Sequence, residues 1–131
     1  MERVEYTILR NLLCNEEFYR KAVPFIKPEY FQDLSEKVIF EIIQEFSTQY
    51  DKVPTREVIN VGLLERNDLT EDVFKKAEEL PTRFTDEKVD LEWLLDQTEK
   101  WCQERAVYNA LLQSIKIAAV SYTHLTLPTK A

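Results

Sequence analysis

The stretch DLSEKVIFEIIQEFSTQY, residues 33–50, decides the fold class. Ile39, Ile42, Ile43, Phe46 and Tyr50 fall at i, i+3, i+4, i+7 and i+11, the spacing that gathers apolar side chains onto one face of a helix. Asp33 and Glu36 stand in front at capping-box spacing, where each side chain can satisfy a backbone N–H left open at the helix start. The expectation is a long amphipathic helix whose stripe belongs to a core.

Working towards the N-terminus, Val4, Ile8 and Leu12 recur every fourth residue, with Leu9 and Leu13 on the adjoining ridge, so a first helix is expected there. EEFYRKAV follows with Asn15 as its N-cap and ends before Pro24. PFIKPEYF reads as a proline-punctuated turn whose Phe25, Ile26, Tyr30 and Phe31 plug the core.

Towards the C-terminus, DKVPT breaks the long helix and Thr55 caps REVINVGLLER. Gly62, the only glycine, costs that helix about 1 kcal/mol relative to alanine. Close packing or simple tolerance would each explain it. Thr70 caps EDVFKKAEEL, which buries Val73, Phe74, Ala77 and Leu80, and PTRFTDEK is expected to be a polar linker. From Asp90 the longest pattern begins. Leu91, Leu94, Thr98, Trp101, Arg105, Tyr108, Leu112 and Ile115 alternate in steps of three and four, with Leu95 and Cys102 beside them, as in a coiled-coil seam, although Thr98 and Arg105 interrupt it. A second ridge carries Trp93, Val107, Leu111 and Ala118. At 1.5 Å per residue, thirty residues reach roughly 45 Å, longer than a small domain is wide. Part of this helix is therefore expected to project and to need a partner.

The fold class read from these patterns is all-α: a small multi-helix head over residues 1–85, then a long projecting helix over residues 86–119. The expected core holds Ile8, Leu12, Phe31, Ile39, Ile42, Ile43, Phe46, Val73, Phe74 and Leu94. Composition agrees, since 131 residues suit one domain and one glycine leaves little material for β-hairpins.

The net charge of −7 offers no basic footprint for phosphates, so DNA contact by this domain is expected to be weak or indirect. No apolar run approaches a membrane span, the N-terminus lacks a signal peptide, and the expected location is the cytoplasm. Cys14 and Cys102 are expected as reduced thiols, and with one histidine they lack metal-ligand spacing. There is no phosphate-binding glycine loop and no triad, while adjacent acids such as Glu16 and Glu17 or Glu78 and Glu79 read as solvated faces. No catalytic, cofactor-binding or metal-binding residue is assigned.

What stands out is a set suited to an interface: Trp101, Arg105, Tyr108, Leu111, Leu112 and Ile115. Trp, Tyr and Arg dominate interface hot spots because they bury large surfaces while keeping a polar handle. For Trp101 and Tyr108, packing on the chain's own head is equally open.

Three elements, EYTILRNLL, KPEYF and VIFEIIQEF, resemble in order and spacing the N-terminal domain of DnaB-type replicative helicases. That family opens with a Leu-rich helix, then a Pro-x-x-Phe-like turn, then an Ile-Phe-x-x-Ile helix. YDKVPT and QTEKWCQERAVYNA are similar more specifically to the T-even-type phage branch. The head lacks the glycine that bacterial members carry before their Val-Pro turn, which also favours a phage origin, hence the host cytoplasm. The resemblance covers residues 1 to about 119. It implies a helical head followed by a hairpin whose first arm is residues 90–119, pairing between subunits into the N-terminal tier of a hexameric ring. It also implies contacts with primase and a helicase loader. ATP and magnesium are implied only for a motor domain that these residues do not include. Two alternatives stay open: a free-standing acidic helical adaptor or helicase-loading regulator without enzymatic activity, and an unrelated helical protein sharing only the patterning.

The last residues break the pattern. SYTHLTLPTKA has no carboxylate and holds the sole histidine, His124, while Thr and Leu alternate as in a half-buried strand. VSYTHLTLPT, residues 120–129, resembles one reading frame of a transposon-end sequencing adapter. Residues 120–131 are therefore expected to be a non-native tail, disordered or continuing the helix for a turn, and the helicase sequence to be truncated before its second hairpin arm.

Overall fold

The computed structural model describes residues 3–85, 87 and 89–126, the side chains of 119–126 excepted. Among the described residues there are six α-helices, two 3-10 turns and no strand. The helices are α1 (Val4–Cys14), α2 (Glu16–Ala22), α3 (Leu34–Tyr50), α4 (Arg56–Glu65), α5 (Glu71–Arg83) and α6 (Leu91–Thr126), with the turns Val23–Phe25 and Pro28–Tyr30 between α2 and α3. All-α architecture is thus as expected.

The caps are local and chemical. Asn15 Oδ1 accepts the Phe18 N–H at 3.2 Å, and Thr55 and Thr70 accept the Val58 and Val73 N–H groups at 3.3 Å. Asp33 caps α3 by accepting from the N–H groups of Ser35 and Glu36. The reciprocal half of the expected capping box does not form, because Glu36 turns inward to Arg3. Helix α3 ends on Asp51 in the left-handed region (φ 53°), which Asp tolerates better than most residues, and the Asp51 N–H closes the last turn on the Ser47 carbonyl.

Helix α3 is the hub, packing against α1, α4, α5 and the Pro28–Tyr30 turn. Its Ile39, Phe40 and Ile43 are wholly buried beside Ile8, Leu9 and Leu12 of α1, Phe18 of α2, and Ile59 and Leu63 of α4. Each such side chain contributes about 1.5–3 kcal/mol of burial free energy. Phe31 bridges the head to α6, with Phe40 at 5.3 Å and Trp101 at 4.9 Å between ring centroids. Gly62 is where α4 touches α3: a Cβ there would lie 3.0 Å from Ile42 Cγ2. Close packing therefore accounts for the glycine.

Several core assignments shift. Ile8, Leu12, Phe31, Ile39, Ile42, Ile43 and Leu94 are buried. Val73 and Phe74 are half-buried against the core. Phe46 is half-buried at the rim, stacked on the exposed Tyr50 at 4.7 Å, because the stripe of α3 outlasts the head that covers it. Phe25 is 74% exposed rather than a plug, since the first 3-10 turn points it outward while Val23 and Ile26 fill the core.

Proline did not stop α5. The helix runs through Pro81 to Arg83, and Pro81 sits in its last turns. The expected linker supplies a core residue, Phe84, buried edge-on against Tyr6 with centroids 5.1 Å apart. Helix α6 continues to Thr126, two turns into the segment expected to be a tail, so the strand-like alternation does not form a strand up to that residue. Residues 127–131 lie outside the described residues.

Candidate protein-interaction surface

Helix α6 begins on Asp90, whose Oδ2 accepts the Trp93 N–H at 2.9 Å. Its first half lies on the head. Leu94, Thr98 and Trp101 form the buried row, and the Thr98 hydroxyl donates to the Leu94 carbonyl at 2.7 Å, so a polar residue in this seam carries no unmet hydrogen bond. Trp101 fits between Phe31 and Tyr30, the latter edge-on at 6.0 Å. Arg105 Nε donates to the Tyr30 carbonyl at 2.9 Å while its guanidinium stacks over the Tyr108 ring at 4.6 Å. Asn109 Nδ2 then donates to the Glu29 carbonyl at 3.1 Å. Among the described residues this is the last hydrogen bond between α6 and the head.

Beyond it the helix stays apolar without cover. Val107, Tyr108, Leu111, Leu112 and Ile115 follow helical spacing along one side, Leu111 58% and Ile115 64% exposed. At 3.6 residues per turn Leu112 falls on the same side as Leu94 and Trp101, and the centre of the stripe lies only about a fifth of a turn round from the Leu94–Thr98–Trp101 row. It therefore continues, and widens to one side, the face that is seated on the head. Single exposed apolar residues are ordinary, whereas a contiguous stripe marks an interaction surface. The segment from Ala106 to Ile115 contains no charged residue.

Of the residues singled out from sequence, Tyr108, Leu111, Leu112 and Ile115 thus share the exposed stripe. Arg105 stands at its edge, half-buried and committed to Tyr30. Trp101 is taken up by the chain's own head at 7% exposure and has little surface left for a partner. Ile117, also 64% exposed, points away from the stripe.

Sequence reasoning missed a second feature. Glu36 is 3% exposed and lies 3.2 and 3.3 Å from the two terminal nitrogens of Arg3. Burial, aided by the nearby Asp33 and Glu5 charges, outweighs the attraction of Arg3 and pushes the Glu36 carboxyl up to about 7. Asp33 goes the other way. Burial opposes its charge too, but the Ser35 hydroxyl, two backbone N–H groups and Arg3 hold it below the usual aspartate range. The adjoining cleft of about 600 Å³ is lined by both arginines Arg3 and Arg83, Lys76, Tyr6 and Glu79. A carboxyl titrating near neutrality beside a cleft has the profile of a general acid or base. Its partner here is an arginine from the chain's first turn, and the pair ties that turn to α3. No group of three or more potential metal ligands occurs among the described residues.

Both cysteines are half-buried. Burial pushes the Cys102 thiol up to about 11, so it is a weak nucleophile at neutral pH. No helix among the described residues is long and apolar enough to cross a membrane.

No family model matches the chain. The chain is similar in sequence to the N-terminal part of the DnaB-like replicative helicase of Enterobacteria phage T4, with 32% identity over 110 residues. The match takes in 84% of this chain, which spans 23% of that relative's length.

Proposed function

We propose that this chain acts as the N-terminal, oligomerising tier of a ring-forming replicative DNA helicase of the DnaB-like kind. The likeness to such a helicase over most of the chain supports the reading. The observation that carries it is the uncovered stripe Tyr108–Leu111–Leu112–Ile115 on a helix that has left its own head. A lone amphipathic helix of this length is marginal in water and gains its stability from packing. A second copy offering a matching helix would bury the stripe, and repetition of that contact would build a hexameric tier. In a complete helicase of this kind the tier would also meet primase and a loader, while ATP, magnesium and strand separation would belong to a motor domain elsewhere.

The test is the mass of the chain in solution. Sedimentation equilibrium of the wild type is expected to show concentration-dependent self-association. Leu111→Asp with Ile115→Asp, at two sites that do not touch the head, is expected to leave a monomer with unchanged helical circular dichroism. Burying two carboxylates in such a seam costs several kcal/mol, enough to abolish a weak association. A wild type that stays monomeric at every concentration, or a double variant that still associates, would remove this reading.

A further inference from the structure

A second surface lies on the head and is lined by no residue of α6. Helices α3 and α4 border a groove of about 440 Å³. Its apolar floor is made by Ile42, Phe46, Tyr50, Val58 and Val61, with Gln49 and Thr55 beside them. The Phe46–Tyr50 ring pair is already stacked, and Val61 and Tyr50 are each more than half exposed. Gly62 also lines the groove, where an added side chain would crowd Ile42. The size is within the range of pockets that accept a few apolar side chains.

The rim has a single sign. Glu45, Glu57 and Glu65 line the groove and no Lys or Arg does. Arg66, which caps the end of α4, is occupied by Glu41 at 2.8 Å and by Glu45 and Asp68 at 3.9 and 4.0 Å, and Arg56 by the Phe84 carbonyl at 2.8 Å. Glu57 and Glu65, one at each end of α4, leave the groove mouth negative along its length. An apolar floor between carboxylates complements an amphipathic helix whose apolar anchors are flanked by Lys or Arg. It repels nucleic acid. It does not suit a second copy's α6 stripe either, because that stripe is free of charge from Ala106 to Ile115.

We infer that the α3–α4 groove is a docking site for a basic amphipathic helix of another protein. The occupant inserts leucine-like side chains onto the Phe46–Tyr50 floor and sets its cations against Glu57 and Glu65. This inference stands apart from self-association, since it involves neither α6 nor the residues altered in the test above.

The experiment uses the whole chain and a labelled amphipathic peptide of leucine and lysine at helical spacing, with the same peptide carrying glutamate for lysine as control. Binding is read by fluorescence anisotropy and mapped by amide chemical-shift changes. The lysine peptide is expected to shift amides around Phe46, Tyr50, Val61 and Glu65, and the glutamate peptide not to bind. Glu57→Lys with Glu65→Lys is expected to weaken binding by about tenfold or more, and Val61→Ser, which leaves the charge intact, to weaken it as well. Glu71→Lys with Asp72→Lys, an equal charge change on exposed residues of α5, is expected to have little effect. Shifts spread over the acidic surface, shifts confined to α6, or equal loss in the α5 variant would each overturn the proposal.

Discussion

At the scale of single residues, Glu36 carries the clearest consequence. Its carboxyl is held to about 7 in the folded chain against an ordinary 4.5, so the folded state keeps a proton that the unfolded state has released between those values. Stability therefore falls as pH rises through that window and is flat above it, by up to roughly 3 kcal/mol. Asp33 acts in a separate range: its lowered pKa gives stability that is lost only as pH falls below the ordinary aspartate value of 3.8. Thermal melts of the wild type and Glu36→Gln should accordingly diverge between pH 4.5 and 7, the variant losing less of its melting temperature. Parallel curves would show that Arg3 fully compensates the buried charge. None of this was legible in the sequence. Arg3 and Glu36 are 33 residues apart, and the capping-box spacing of Asp33 and Glu36 pointed to a local bond instead. Tertiary pairing won because the head closes over Glu36 and leaves it one cation within reach.

Helices and their starts were far more readable, because their causes are local. Asn15, Thr55 and Thr70 cap where their chemistry says they should, and the apolar rows of α1 and α3 find the core. Failures came where a local rule met a tertiary one. The polar linker expected from Pro81 does not begin there, because its last-turn position lets α5 keep Pro81 buried, and Phe84 beyond it is core. Phe25 and Ile26 are adjacent, and no periodicity in a 3-10 turn says which of them faces inward. Gly62 left two explanations open until Ile42 was seen beside it. Alanine there gains about 1 kcal/mol of helix propensity but meets a β-branched methyl that cannot rotate away cheaply, an overpacking cost of about 1–3 kcal/mol. Urea titration should find Gly62→Ala unchanged or destabilised by up to about 2 kcal/mol and Gly62→Val clearly worse. A full alanine gain would mean that α3 and α4 part freely.

For the molecule as a whole, the sequence showed that α6 outruns its head but not which residues leave. Trp101 and Tyr108 look alike in the heptad pattern. The structure separates them, because Phe31 and Tyr30 pack on the first, while the second lies under Arg105 and is 44% exposed. The divide comes at Asn109, and past it the helix has an uncharged apolar face on a body of net charge −7. That contrast sets the thermodynamics of any assembly built on it. Without ion pairs in the seam, added salt has no attraction to screen there, and it screens only the repulsion between acidic heads. Apolar contacts also weaken on cooling, since their hydration carries a large heat capacity. Sedimentation at several salts and temperatures should therefore find association that holds or tightens as salt rises and loosens in the cold. A charge-paired seam would respond to salt in the opposite way. The ten uncharged residues of α6 would make the tier a joint governed by temperature, one that a change of ionic surroundings alone would not open.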